Sequence, residues 1–453
     1  MVDYVFERHL SGGILLPANK TASTAGPIRR GFLPTKLVLA LRQHRGNAAE
    51  PKVAVGARVR KGQTVAAASA SPSAAVHAST SGWVRAIEER PVLGGHGVQP
   101  SLCIVIETDG RDERVPDAEA PEWPRGLAEQ REAIRAGGIV GLGGAVYPTA
   151  DKLATPVACK TLIVNGAECE PYISCDDMLM RENAAEVVAG TQILCDVLAA
   201  PRAIIAIERD KPQAMEAIEA AAQAADDERL KLAEVPTIYP AGGEKQLVEL
   251  LTGEEVPSGR YPGEFGYVCQ NVGTAYAVQR LRAKREPLVA RVVTVTGGGV
   301  KNPQNIEAPI GTPIAELVAL CGGYNEGVAR LIAGGSMMGY ALPDDETPIT
   351  KATNCVIAAL ADEVRTDTHE WPCIRCGDCA MVCPSRLLPQ DLLVAATTSD
   401  FTALHTLGLQ DCIECGCCDV ICPSQIMLTE RFRIAKRAVA AREPIPVTSP
   451  GRD

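Results

Sequence analysis

Alternating apolar and polar positions mark the first part of the chain. In residues 51–89, "PKVAVGARVRKGQTVAAASASPSAAVHASTSGWVRAIEE", valines recur at two-residue spacing and Gly56, Gly62 and Gly82 punctuate the runs. That pattern predicts short strands of a small β-sandwich or barrel over residues 1–115. From Trp123 the pattern changes to helix, glycine loop and helix, followed by a strand in "KTLIVNGAECEP" and a second helix beginning near Asp176. Further alternation through "PRAIIAIERDKPQAMEAIEAAAQAAD" predicts an α/β unit with a mostly parallel sheet over residues 116–288. "RVVTVTGGGVKNPQNIEAPIGTPIAELVALCGG" reads as strand, turn, strand and helix, a small β-grasp-like unit over residues 289–350. Helical spacing returns in a cysteine-rich unit over residues 351–440, at Leu392, Leu393, Ala396, Leu404 and Leu407 and in the amphipathic "SQIMLTERFRIAKRAVAAR". Residues 441–453 carry no such pattern and are expected to form a flexible tail.

The fold class is therefore a multidomain α/β chain. Its 453 residues, 46% hydrophobic, suffice for several cores, and 41 glycines with 32 prolines imply many tight turns. A net charge of -10 argues against nucleic-acid binding, which draws on clustered Lys and Arg. The N-terminal "MVDYVFERHLSGG" has no apolar core of a signal peptide. The longest uncharged apolar run, "VVAGTQILC", stops at Asp196, short of the roughly 18 residues a membrane span needs. Membrane association is therefore expected only through a partner. The N-terminal unit resembles the barrel-sandwich fold of biotinyl and lipoyl carriers, whose modified lysine sits on a hairpin tip. The matching tip, "SPSAAVHAST", has no lysine, which favours a docking role over a swinging arm.

Seventeen cysteines in a chain without a leader read as metal ligands rather than disulfides. Eight of them form two C-x2-C-x2-C-x3-C-P runs, "CIRCGDCAMVCP" and "CIECGCCDVICP". In two-cluster ferredoxins the cysteine before proline serves the other cluster. That rule groups Cys373, Cys376, Cys379 and Cys422 around one 4Fe-4S cluster, and Cys412, Cys415, Cys418 and Cys383 around a second. Zinc would explain four ligands per site but not the third cysteine at x2 or the C-P ending. Cys417 falls off the spacing and is expected to be a bystander. Together with the surrounding helices, this unit looks like an α-helical ferredoxin insert that relays single electrons.

A relay needs a donor. Glycines at 137, 138, 141, 143 and 144 strip side chains from the loop "GGIVGLGGAVYPTADK", so its amides can approach a phosphate. It is not a P-loop, since no G-K-[ST] closes it, and Val146 stands where a G-x-G-x-x-G fingerprint needs its last small residue. A tight connection would use the same glycines. The strand end "VNGAECEPYISCDD" adds Asn165, Glu168 and Glu170 at a sheet's C-terminal edge, where α/β folds bind ligands.

"GGIVGLGGAVYPTADKL", "NGAECEPYISCDD", "YPAGGEKQLVELLTGEEVPSG", "GGSMMGYAL", "HLSGGILLPANKT" and the paired cysteine runs together resemble the C subunit of the Rnf ion-translocating electron-transport complex. The flavin part is also similar to the NADH-binding, flavin-carrying subunit of respiratory complex I. The resemblance implies an FMN- and NAD(H)-binding α/β domain, a β-grasp domain of the SLBB kind and two 4Fe-4S clusters. It implies that Gly141, Gly143, Gly144 and Lys152 hold the FMN phosphate and ring edge. Asn165, Glu168 and Glu170 would line the flavin and nicotinamide pocket, the two glutamates acting catalytically, with Gly243, Glu244, Lys245 and Asn271 closing it. Val146 and Tyr147 replace a Gly-Phe pair usual in this motif, and Ala167 stands where complex I relatives have an acid. Implied partners are the iron-sulfur B subunit and the integral membrane subunits, with ferredoxin or flavodoxin reached indirectly, at the cytoplasmic face of the inner membrane. Rival expectations are a soluble flavin and iron-sulfur reductase, such as a cobalamin reductase, or a non-catalytic electron-carrying adaptor. The soluble relatives tend to begin near the glycine loop.

Overall fold

The computed structural model describes residues 10–94, 97–365 and 369–442. The sequence-predicted tail falls at residues 443–453, outside the described residues, while residues 441 and 442 end the helix Leu428–Arg442.

The N-terminal unit is built from antiparallel strands in two sheets. Lys36–Ala40, Gly97–Thr108, Gly82–Gly94 and Arg58–Val59 form one in that order, and Glu50–Pro51, Thr64–Ala67 and Val76–His77 form the other. Leu37, Leu39, Val59, Val65, Ile104 and Ile106 fill the space between them at 0% exposure, as the period-two pattern requires. The lysine-free tip is not a free arm. Residues 73–80 are all buried, Arg135 donates to the Ser73 carbonyl at 3.1 Å, and the Lys351 ammonium donates to the Ala75 carbonyl at 2.6 Å.

The second unit carries four parallel strands in the order Leu230–Val235, Ala203–Glu208, Thr161–Gly166, Tyr267–Asn271. Helices cover both faces, so these strands read as continuous apolar runs. Leu247, Val248 and Leu251 of helix Glu244–Thr252 pack on one side of the sheet. On the other, Val187 and Leu194 of helix Ala184–Leu198 share a core with Val272 and Ala275 of helix Val272–Lys284.

A five-stranded mixed sheet forms the third unit, in the order Gln304–Pro309, Ala290–Thr296, Cys355–Leu360, Val328–Ala333, Tyr340–Leu342. Its central strand Cys355–Leu360 pairs parallel to Ala290–Thr296 and antiparallel to Val328–Ala333. The expected boundary at residue 350 therefore moves beyond residue 360. "CVIAAL" is buried along nearly its whole length, so it shows no alternation to distinguish it from a helix.

The cysteine-rich unit packs helices Pro389–Thr397, Phe401–Thr406 and Leu428–Arg442 around Leu392, Leu404 and Phe432. No described helix is long and apolar enough to cross a membrane.

Candidate functional site

The glycine loop closes on itself. Gly141 donates to the Tyr147 carbonyl at 2.9 Å and Val146 donates back to Gly141 at 3.2 Å. Inside that closure Gly143, Gly144 and Ala145 are exposed, and their amides have no acceptor among the described residues. The loop rests on Asn271, since a Cβ at Gly143 would lie 3.5 Å from the Asn271 Cβ. Gly144 sits at φ +100 and Val146 at φ +44. A β-branched residue in the left-handed region is unusual, and glycine there would relax the turn.

Asn165 and Asn271 are register partners at the ends of adjacent parallel strands. The Asn271 side chain caps helix Val272–Lys284 by accepting from the Gly273 amide at 2.8 Å and donates to Asp176 at 2.6 Å. Asn165 donates to the Gly242 carbonyl at 2.8 Å, which fixes the loop before Gly243 against the strand end. Lys152 forms an ion pair with Glu244 at 2.9 Å across the same opening. Gly141, Gly143, Gly144, Lys152, Asn165, Gly243, Glu244 and Asn271 thus converge. Lys245 is turned away and donates to the Pro257 carbonyl at 3.2 Å. Free amides in a loop without side chains, a capped helix start and a lysine beside them fit a phosphate-bearing cofactor.

The two glutamates are committed elsewhere. Glu168, buried, accepts from the Asp176 amide at 2.8 Å and the Asp177 amide at 3.4 Å, so it caps helix Cys175–Glu182 from a distance. Its backbone carbonyl takes the Lys20 and Lys211 ammonium groups. Burial pushes its carboxyl up to about 7. Glu170 accepts from the Met337 and Met338 amides, each at 3.0 Å, and burial likewise raises it to about 7. A Cβ on Gly335 would lie 2.2 Å from its Oε2, so that loop approaches Glu170 only because residue 335 is glycine. Neither carboxylate is a free pocket group.

Sequence reasoning missed Asp176 and Arg291. Asp176 is held above its ordinary range by burial, while its bond from Asn271 acts the other way. The Arg291 guanidinium, also buried, donates to the Leu142 carbonyl at 3.0 Å and to the Lys351 carbonyl. Together they line a cleft behind the glycine loop, with Leu142, Gly273 and Tyr276. The acidic "CDD" was a visible signal, but its burial depends on the distant strand Ala290–Thr296.

Both cysteine runs have the same backbone. Arg375 and Glu414 sit at φ 55 and 58, Gly377 and Gly416 at φ 86 and 79, and Arg386 and Gln425 at φ 54 and 59. Cys373, Cys376, Cys379 and Cys422 line one pocket, so three thiols of the first run meet the last of the second. Four soft thiols converging on one pocket fit an iron-sulfur cluster or a thiophilic metal. Cys383, Cys412 and Cys418 each lie within electrostatic reach of Cys415. Cys415 and Cys417 are buried with Tyr239, and Ile14, Cys169, Met337 and Ile413 pack beside them. Cys417 is 0% exposed and its sulfur lies 3.9 Å from the Tyr239 carbonyl oxygen.

Residues 8–111 match the RnfC barrel sandwich hybrid domain, 134–280 the Nuo51 FMN-binding domain and 292–341 the SLBB domain. The C subunit of an ion-translocating oxidoreductase complex from Pseudomonas aeruginosa is 47% identical over 435 residues, 94% of this chain and 55% of that one. Its counterpart from Vibrio cholerae is 42% identical over 403 residues, 88% of this chain and 52% of that one. The chain spans about half the length of these curated relatives. The air-oxidized NAD+-reducing [NiFe]-hydrogenase superposes with a TM-score of 0.49 at 20% identity, over 70% of this chain and 60% of that one.

Proposed function

Because the chain belongs to the family of C subunits of ion-translocating oxidoreductase complexes, we propose that it exchanges electrons with NAD(H) through FMN and relays them singly through two 4Fe-4S clusters. FMN, when bound, supplies the conversion between a two-electron hydride and one-electron carriers. Gly143, Gly144 and Ala145 would offer amides to its phosphate, and Asn271 would hold the helix start beside it. Lys152 and Glu244 would border the ring edge, and Asn165 would keep the 240–243 loop in place. Glu168 and Glu170 would act as positioning residues, through helix Cys175–Glu182 and the 337–338 amides.

The observation that carries this reading is the graded setting of the thiols. Of the set Cys383, Cys412, Cys415 and Cys418, Cys415 packs against Tyr239 of the flavin domain and Val382 beside Cys383 reaches the same apolar cluster, whereas Cys373 and Cys376 are exposed. We call these sets inner and outer. An electron entering at the flavin domain would pass the inner set first and leave from the outer one, toward other subunits of the complex at the cytoplasmic face of the membrane.

The test is anaerobic purification or reconstitution of the chain with FMN, iron and sulfide, followed by NADH addition under absorbance and EPR. Bleached flavin with a reduced-cluster signal is expected. Clusters that accept electrons from dithionite but ignore NADH would overturn the catalytic reading in favour of an adaptor.

A further inference from the structure

Tyr239 occupies the seam between the flavin domain and the inner thiols. It is 3% exposed, and its hydroxyl donates to the Cys415 carbonyl oxygen at 2.7 Å. Its backbone pairs in both directions with Ile14, at 3.0 and 2.8 Å. Gly13, next along that strap, donates to the Val382 carbonyl at 2.9 Å, one residue before Cys383. The strap can lie this close only as glycine, since a Cβ at Gly12 would stand 2.6 Å from the Cys383 carbonyl oxygen. Tyr239 therefore holds both sources of the inner set, Cys415 through its side chain and Cys383 through the strap. Its own loop runs three residues on to Gly242, which Asn165 fixes to the sheet edge.

We propose that Tyr239 is a positioning residue that ties the inner cluster to the flavin pocket and tunes its potential, an inference that rests on the two-cluster reading above. A carbonyl dipole beside a cluster disfavours the extra negative charge of the reduced form, and a donated hydrogen bond offsets part of that dipole. Removing the hydroxyl leaves the Cys415 carbonyl without that donor in a buried seam. The one-electron reduction of the inner cluster then becomes harder, while the ring still fills the space.

The experiment is a potentiometric titration, with dithionite as electron source and EPR as readout, on the full reconstituted chain and on Tyr239→Phe. A Cys376→Ser background, lacking an outer-set ligand, assigns the inner signal. The inner midpoint should fall, so that at a fixed potential its reduced fraction drops severalfold, and the outer midpoint should stay. Gly13→Ala disturbs the same grip from the strap side, where its added carbon would lie 2.8 Å from the Tyr239 carbonyl oxygen. It should move the same midpoint alone. An unmoved inner midpoint, or an equal shift of both clusters, overturns the inference and leaves the two-cluster reading standing. A wild-type chain that assembles no pair of clusters overturns both.

Discussion

The two cysteine runs share spacing and backbone turns yet live in opposite surroundings. Ile374 of the first run is 68% exposed, whereas its counterpart Ile413 packs beside Tyr239 and Met337. Glu414 is half-buried in ion pairs with Arg433 at 3.1 Å and Lys436 at 2.9 Å, and Lys436 also donates to the Cys412 carbonyl at 2.6 Å. Its counterpart Arg375 stands exposed. Gly416 lies against Met337, while a Cβ on Gly377 would meet nothing within 4 Å. The spacing and turns, which the proposed clusters would require, are copied. Burial and hydrogen bonding, which set potential, are supplied by whatever each run touches and are not copied.

Removing one ligand from each run breaks the comparison most severely. Cys415→Ser and Cys376→Ser should each lower iron from about eight to about four atoms per chain. NADH should still reduce the remaining cluster in Cys376→Ser but not in Cys415→Ser. Iron analysis with EPR checks this, and equal NADH response in both would abolish the inner and outer order.

The brace on the inner run is expected to be pH-dependent. Glu170 accepts from the Met337 and Met338 amides, fixing the loop whose Met337 side chain and carbonyl lie beside Gly416, and burial lifts its carboxyl from 4.5 to about 7. Between those values the folded chain holds more protons than the unfolded one, so this group's contribution to stability falls as pH rises from about 4.5 to 7. Glu170→Gln removes that titration. Its free energy of unfolding in urea should gain on wild type between pH 5 and 8, by up to about 3 kcal/mol at about 1.4 kcal/mol per pKa unit. A pH-independent gap would show that the buried carboxyl does not titrate as described.

The smallest effect belongs to the outer face. Met381 is 79% exposed, so Met381→Gln should leave the free energy of unfolding within about 0.5 kcal/mol of wild type. A larger loss would mean that the outer run is packed more firmly than its exposure indicates.

Legibility in the sequence followed the same division between local and distant causes. Cysteine spacing is local, and so are the glycine loop, the strand ends at Asn165 and Asn271 and the amphipathic helix Leu428–Arg442. The roles of Glu168 and Glu170 were not legible, because their acceptor geometry is decided by amides at 176–177 and 337–338 after folding. Cys417 was legible as lying off the spacing, but its packing against Tyr239 was not. The strand Cys355–Leu360 was hidden for a related reason, since a strand covered on both faces loses its period.

The strap at residues 12–14 also has a consequence for biosynthesis. Gly13 finds Val382 only after residues 14–382 have been made, a delay of roughly 20–70 s at typical elongation rates. Until then neither Cys383 nor Cys415 exists to be covered, and afterwards the clasp must close over a distance that makes docking slow. Slow closure of the strap, rather than synthesis itself, therefore sets how long Cys415 and Cys418, buried in the finished molecule, stay within reach of solvent.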